Sequence, residues 1–307
     1  GQPVVGILAS PLPFLPGDLL PKPLRSWIPV RYITSLHHAG ADVLPIPLHL
    51  SEDELRWIAA RVSAVLFTGG SDDNGVHGRT YPDNLVMTAE LLYNTTLRAS
   101  EEGEPPLPLW GTCQGFQMLA VLASRDPHVV VRTYGTEPWV AKLNLTDGAA
   151  CSRLFGSAPQ EVLEAYTSER STVNLHKWGV LNSSFTRVRG MKLLSTNVDS
   201  RGQVFGSALE HESAPIFATQ FHPEIAPWDL GGDHSPTCVE TARYPMDFFR
   251  KQALETTRRF DSAQEERSVL IERWPLTKGL LGGDGYIFDA EAGKPFYARE
   301  EAATMVV

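Results

Sequence analysis

A chain of 307 residues with 42% hydrophobic content can bury a full core, which excludes disorder throughout. Its 36 acidic and 27 basic residues leave a formal charge of −9, so neither nucleic acid nor an anionic membrane surface is expected as a partner. The longest apolar stretches, such as Gln117 to Ala123, fall far short of the roughly 20 residues a membrane span requires, and a soluble protein is expected.

The first apolar run, Val4 to Leu8, reads as a strand, followed by a helix from about Val30 to Ala39 that Gly40 stops. A second strand covers Asp42 to Ile46. Ser51-Glu52-Asp53-Glu54 then forms a capping box that starts a helix with Leu55, Ile58 and Val62 on one face. A third strand, Ala64 to Phe67, precedes a helix from about Asn84 to Ser100. The acidic, Pro-rich link Glu101 to Pro106 leads into a strand over Leu107 to Trp110 and a helix over Gln114 to Ser124. Strictly alternating strands and helices predict a parallel sheet covered on both faces.

Beyond Val129 the pattern is less regular. Strands are expected near Leu193 to Asn197, Gln203 to Leu209 and Ile216 to Gln220, as an antiparallel extension, with a helix over Met246 to Phe260. The tail carries the turn-rich segment Gly279 to Gly285. No internal repeat or low-complexity linker divides the chain, so residues 1–307 are expected to form a single domain.

The chain opens at Gly1 with no methionine and no signal-like apolar segment, as expected where an N-terminal address has been removed or omitted. Sequons at Asn94, Asn144 and Asn182 fit N-glycosylation on a route to a lysosome, a vacuole or the exterior. Cys113, Cys151 and Cys238 are odd in number, which leaves at least one thiol unpaired within a monomer.

The most informative segment is Leu109 to Gln117, where an apolar strand ends in a small-residue turn and a helix begins at once. Cys113 occupies that elbow. A thiol there faces unpaired helix N-terminal amides and the positive end of the helix dipole, both of which favour thiolate and suit a nucleophile. Gly111 and Gly115 fit a turn too tight for a Cβ, as in the nucleophile elbow of serine hydrolases. The bland alternative makes Cys113 a small buried hydrophobe. In Ala218 to Glu224 a histidine and a carboxylate follow another apolar strand. His222 can take the thiol proton and return it to a leaving amine, Glu224 can orient the imidazole, and Pro223 stiffens the turn. Taken alone, His-Pro-Glu is a surface turn.

Together the two segments resemble the class I glutamine amidotransferase superfamily, which carries its nucleophile in a G-x-C-x-G elbow and its His and Glu in an H-P-E motif. The resemblance implies a Cys113–His222–Glu224 triad on an α/β flavodoxin-like three-layer sandwich, with a mostly parallel central sheet and an antiparallel extension. It also implies an oxyanion hole from the backbone amides of Gln114 and of a glycine after Val65 to Thr68, namely Gly70. Without the superfamily, the Gly69-Gly70 pair reads as a turn.

Within the superfamily the chain resembles the γ-glutamyl hydrolases over nearly its whole length. It shares Trp110-Gly111-Thr112-Cys113, Leu66 to Gly70, Tyr32 to Pro45, Ser152 to Phe155 and Asn174-Leu175-His176. Residues from about 260 to 289 resemble the C-terminal extension of that family. By matching position His176 becomes a second active-site histidine near the glutamyl group; as an isolated residue it is a loop histidine. The family usually reads C-L-G-F-E at the nucleophile, whereas this chain has Gln114 and Gln117. Gln117 is placed either toward the substrate glutamyl moiety or, more plainly, on an exposed helix face. The resemblance implies a poly-γ-glutamyl small-molecule substrate, a homodimer, and no metal or cofactor. A glutaminase-type amidotransferase that supplies ammonia and a catalytically inactive binding homologue are the alternatives.

Overall fold

Residues 1–12, 25–70, 82–232, 234–280 and 283–289 are described by a computed structural model. Its central sheet has eight strands in the order Asp42–Ile46, Val4–Leu8, Ala64–Phe67, Leu109–Thr112, Ile216–Thr219, Val204–His211, Met191–Val198 and Asn144–Leu145. The first five are mutually parallel and the last three add antiparallel pairings. The architecture is α/β, as the strand–helix alternation predicts.

Strand side chains alternate between two apolar layers, because successive residues point to opposite faces of a pleated sheet. Val4, Leu8, Val65 and Phe67 join Leu55, Ile58, Leu92 and Leu119 on one face. On the other, Val5, Ile7, Val43 and Leu66 meet Ile33, Leu36, Phe248 and Phe249. With both faces covered, the parallel strands read as continuous buried runs. The helix Val30–Ala39 ends at Gly40, whose φ of 87° closes the last turn onto the carbonyls of His37 and Leu36. The helix Glu52–Ala59 starts with the predicted capping box: the Glu54 amide donates to Ser51 Oγ at 3.3 Å and the Ser51 amide to the Glu54 carboxylate at 2.8 Å.

Several expectations shift. The strand expected over Leu107 to Trp110 lies at Leu109–Thr112, because Pro105, Pro106 and Pro108 delay entry into the ladder. Ile216–Thr219 belongs to the parallel set as much as to the extension, pairing parallel with Leu109–Thr112 and antiparallel with Val204–His211. The last long helix spans Pro236–Ala253, not Met246 to Phe260. It starts at Pro236, where the Cys238 amide donates to the capping Ser235 Oγ, and it tolerates Pro245 inside its length, a residue that hides its first half from a reading of propensity.

The turn-rich tail contains strands. Thr277–Leu280 and Gly283–Phe288 pair, and the second of them pairs with Ser26–Pro29, which in turn pairs with Ser10–Pro11. The C-terminal extension therefore lies against the N-terminal segment; the part of the turn at Leu281 and Gly282 falls outside the described residues. All three cysteines are free. No helix among the described residues is long and apolar enough to cross a membrane.

Candidate active site

Three neighbouring parallel strands end at one place. Phe67 and Ala218 both stand opposite Gly111 in register, so the residues that follow each strand leave the sheet together at its carboxyl edge, where ligands bind in open α/β sheets. Gly69 and Gly70 follow the first strand, Cys113 the second, and Gln220, His222 and Glu224 the third.

Cys113 has φ 53° and ψ −101°, a conformation that costs a non-glycine residue on the order of 1–3 kcal/mol. Neighbouring bonds hold it: the Cys113 amide donates to the Thr219 carbonyl at 2.8 Å, and the Gln117 amide donates to the Cys113 carbonyl at 3.1 Å. The helix Gln114–Ser124 begins at the next residue and presses against the neighbouring strand. A Cβ at Gly115 would lie 2.4 Å from the Phe67 carbonyl oxygen, and one at Gly111 would lie 2.7 Å from Gly115. Both glycines are therefore required by contact. The thiol is 3% exposed and its sulfur lies 4.0 Å from the Leu175 carbonyl.

His222 is anchored through its amide, which donates to the Val173 carbonyl at 2.8 Å. Its Nδ1 meets Glu224 Oε1 at 2.7 Å, on a Glu224 side chain that is only 3% exposed. Burial opposes a charge on the imidazole. The negative charge of Glu224, then that of Cys113, with the bond to Glu224 adding to them, overrides burial and raises the His222 pKa well above its ordinary value. Nε2 makes no hydrogen bond among the described residues, and Cys113 acts on the ring through its charge.

Gly69 forms the floor between these groups. A Cβ there would stand 2.7 Å from Tyr32 Oη, 2.9 Å from His222 Cε1 and 3.4 Å from the Cys113 Cβ. Its amide donates to Tyr32 Oη at 2.8 Å, which leaves Gly70 as the glycine of the pair whose amide has no partner among the described residues. Gly70 also touches Gln114: a Cβ on it would overlap the side-chain oxygen Oε1 of Gln114.

Tyr32 is a member of the site that sequence reasoning passed over. It is fully buried, and burial, then the charges of Glu224 and Cys113, hold its phenol protonated well above the usual range, with its own proton directed at Glu224. A tyrosine on the buried face of an early helix carries no motif; only the fold brings it to the carboxylate.

His176 and Gln117 sit on the other flank. Both ring nitrogens of His176 are engaged, Nδ1 with Thr133 Oγ1 at 3.3 Å and Nε2 with Asn174 Oδ1 at 3.1 Å. Burial, then repulsion from a charged His222, lowers its pKa to about 3, with hydrogen bonding to the Trp178 backbone opposing, so it is neutral near neutral pH. Gln117 is 2% exposed, which removes the exposed-face reading; its Nε2 donates to the Trp178 carbonyl at 2.8 Å and to Gln220 Oε1 at 3.3 Å. Gln220 Nε2, His222 Nε2 and Glu224 Oε2 are buried without hydrogen-bond partners among the described residues. Such atoms concentrated at one strand end mark a place built for a further polar group.

Residues 3–224 match the Peptidase C26 family. The chain belongs to that family. The matched span reaches from the first strand to Glu224 and includes the elbow, the His176 flank and the His222–Glu224 pair. The chain is 31% identical to the gamma-glutamyl hydrolase of Homo sapiens over 299 residues, covering 94% of this chain and 90% of that protein. Identity to the Rattus norvegicus gamma-glutamyl hydrolase is also 31%, over 86% of this chain and 84% of that one. Gamma-glutamyl hydrolase B of Dictyostelium discoideum is 25% identical over 90% of this chain and 79% of its own length.

Two outcomes follow from the contrasted histidines. Glu224→Gln removes the charge that raises the His222 pKa, so the alkaline limb of a kcat/KM profile should move to lower pH, whereas Glu224→Asp should keep most of its position. For His176 the folded pKa lies below the unfolded one, so its contribution to stability is present above pH 6.5 and is lost as pH falls through the folded value. The drop from 6.5 to about 3 corresponds to at most roughly 5 kcal/mol. Urea unfolding across this range should lose less stability in His176→Gln than in the wild type; equal slopes would refute the assignment.

Proposed function

We propose that this chain, a cysteine-type hydrolase of the C26 family, cleaves γ-glutamyl amide bonds in folylpoly-γ-glutamates and in the corresponding antifolate polyglutamates. The observation that carries the reading is the convergence of the Cys113 elbow with the buried His222–Glu224 pair, whose bond measures 2.7 Å. Relatives that match most of the chain, named gamma-glutamyl hydrolases, support the choice of bond. Residues 1–307 are proposed to act as one domain with a C-terminal extension.

In the proposed mechanism His222 takes the Cys113 proton and the thiolate attacks the γ-carbonyl carbon. The developing oxyanion is received by the Gly70 and Gln114 amides, which act without reorganising. His222, held as a cation by Glu224, delivers its proton to the leaving nitrogen as the C–N bond breaks. A water molecule, deprotonated by His222, then attacks the thioester and releases a γ-carboxylate and the thiol. Tyr32 keeps Gly69 and Glu224 in position during both halves. Gln117 and His176 line the glutamyl side, His176 staying neutral so that it does not compete with the His222 charge.

The exposed positions of Asn94, Asn144 and Asn182 support N-glycosylation, and with it residence in a lysosome or vacuole or secretion; the homodimer is proposed on the family resemblance alone.

Cys113→Ala should abolish turnover with little change in folding, because the site loses its nucleophile and the core loses little volume. His222→Asn should lower the rate by orders of magnitude and Glu224→Gln by less. Assayed by mass spectrometry of products, poly-γ-glutamyl folate should be hydrolysed with a kcat/KM at least about 100-fold above that for free glutamine, since remote contacts to a long substrate position the reacting carbonyl. Comparable turnover of the two would favour an ammonia-supplying glutaminase.

A further inference from the structure

A cavity of about 200 Å³ opens beside the catalytic pair, walled by Trp27, Arg31, Tyr32, Gly69, His222 and Glu224. A second, of about 380 Å³, lies between the helices Val30–Ala39 and Pro236–Ala253, walled by Arg31, His38, Glu224, Trp228, Arg243 and Met246 among others. Arg31 and Glu224 line both, so the two cavities meet at those residues.

The group on the amine side of the scissile bond must face the acid that protonates it. His222 walls the first cavity, which His176, Gln117 and Leu175 do not line, although the Leu175 carbonyl lies 4.0 Å from the Cys113 sulfur. The first cavity is thus on the leaving-group side. The charges around the two cavities are unequal in their engagement. Glu224 is held by His222 at 2.7 Å, Asp284 accepts the Gly279 amide at 2.9 Å, and Asp247 stands 3.7 Å from Arg243. Arg31 is exposed and has no hydrogen-bond or ion-pair partner among the described residues. It follows from helical spacing that Arg31, Thr34, Ser35 and His38 share one face, while Tyr32, Ile33 and Leu36 anchor the other in the core. The guanidinium is therefore carried on a fixed helix at the junction, with its charge uncommitted.

We propose that Arg31 is a specificity residue that receives the α-carboxylate of the glutamyl unit on the amine side of the scissile bond, and that the second cavity, with Arg243 at its wall, takes the continuing γ-glutamyl chain. This rests on the γ-glutamyl hydrolase reading above and extends it to the leaving group. A guanidinium presents paired donors that match a carboxylate, and an α-carboxamide in the same place offers neither the charge nor the second acceptor.

The test compares a pteroyl-γ-glutamyl-glutamate substrate with the same compound in which the leaving residue's α-carboxylate is an amide. The wild type should prefer the carboxylate by about 10-fold or more in kcat/KM, the size expected of one charge-assisted hydrogen bond. In Arg31→Ala that ratio should fall toward one, and Arg31→Lys should restore part of it. The ratio is insensitive to partial misfolding, since both substrates meet the same fraction of folded enzyme. A wild type without preference, or an unchanged ratio in Arg31→Ala, overturns the proposal while leaving hydrolysis itself intact. Should neither compound be cleaved, the hydrolase reading falls, and calorimetric binding of the two compounds to Cys113→Ala with and without Arg31→Ala decides the inference separately: carboxylate preference that disappears with Arg31 supports it, and preference that is absent or unchanged overturns it.

Discussion

Everything at this site depends on the parallel pairing of Leu109–Thr112 with Ile216–Thr219, and on the bond from the Cys113 amide to the Thr219 carbonyl that terminates it. One ladder joins segments far apart in the chain and brings Cys113 and His222, the proposed nucleophile and base, to the same edge. The same bond restrains a backbone that would otherwise relax out of a positive φ. Strain in one residue persists only where several neighbours over-determine it, and here a strand end, a helix start and two glycines in contact do so.

The second constraint is electrostatic. Two buried histidines near one thiol cannot both carry charge at modest cost, and the surroundings assign it. His222 has a carboxylate at hydrogen-bond distance, so its cation is stabilised; His176 has only neutral partners and a charged neighbour, so it stays neutral. The positive charge is thereby confined to one ring. The cost is that the His176 contribution weakens in acid, below the ordinary histidine pKa.

Much of this was legible in the sequence, for local reasons. The helix ended by Gly40, the capping box at Ser51 and the elbow at Cys113 are all specified within a few residues, and the structure has them at those positions. The convergence at the strand edge was legible because Gly70, Cys113 and His222 each follow an apolar run. What escaped depended on distant partners. The start of Pro236–Ala253 was hidden by Pro245, which a helix accepts only when surrounding structure holds it. Tyr32 and Gln220 carry no signature of their own, since a buried aromatic or amide becomes part of a site only through what the fold sets beside it. The strands of the tail were obscured by glycines, because a short strand added to a small sheet draws its stability from pairing with Ser26–Pro29 and little from propensity.

Gln117 illustrates how such contacts alter the meaning of a substitution. On a bare helix an amide and a carboxylate differ mainly in charge. Here the side chain is buried and its nitrogen donates to the Trp178 carbonyl and to Gln220. A carboxylate can donate to neither unless protonated, and ionised it would face a carbonyl oxygen in a space that excludes water. An amide at this position therefore favours a quiet, neutral wall, and under the proposed reading it leaves the uncommitted charge of the cleft to Arg31. On that reading the two flanks present different chemistry to the two ends of the scissile bond: hydrogen bonding from neutral groups toward the acyl residue, and positive charge toward the leaving one. Such an asymmetry gives a chain of repeated, nearly identical units a direction in the cleft.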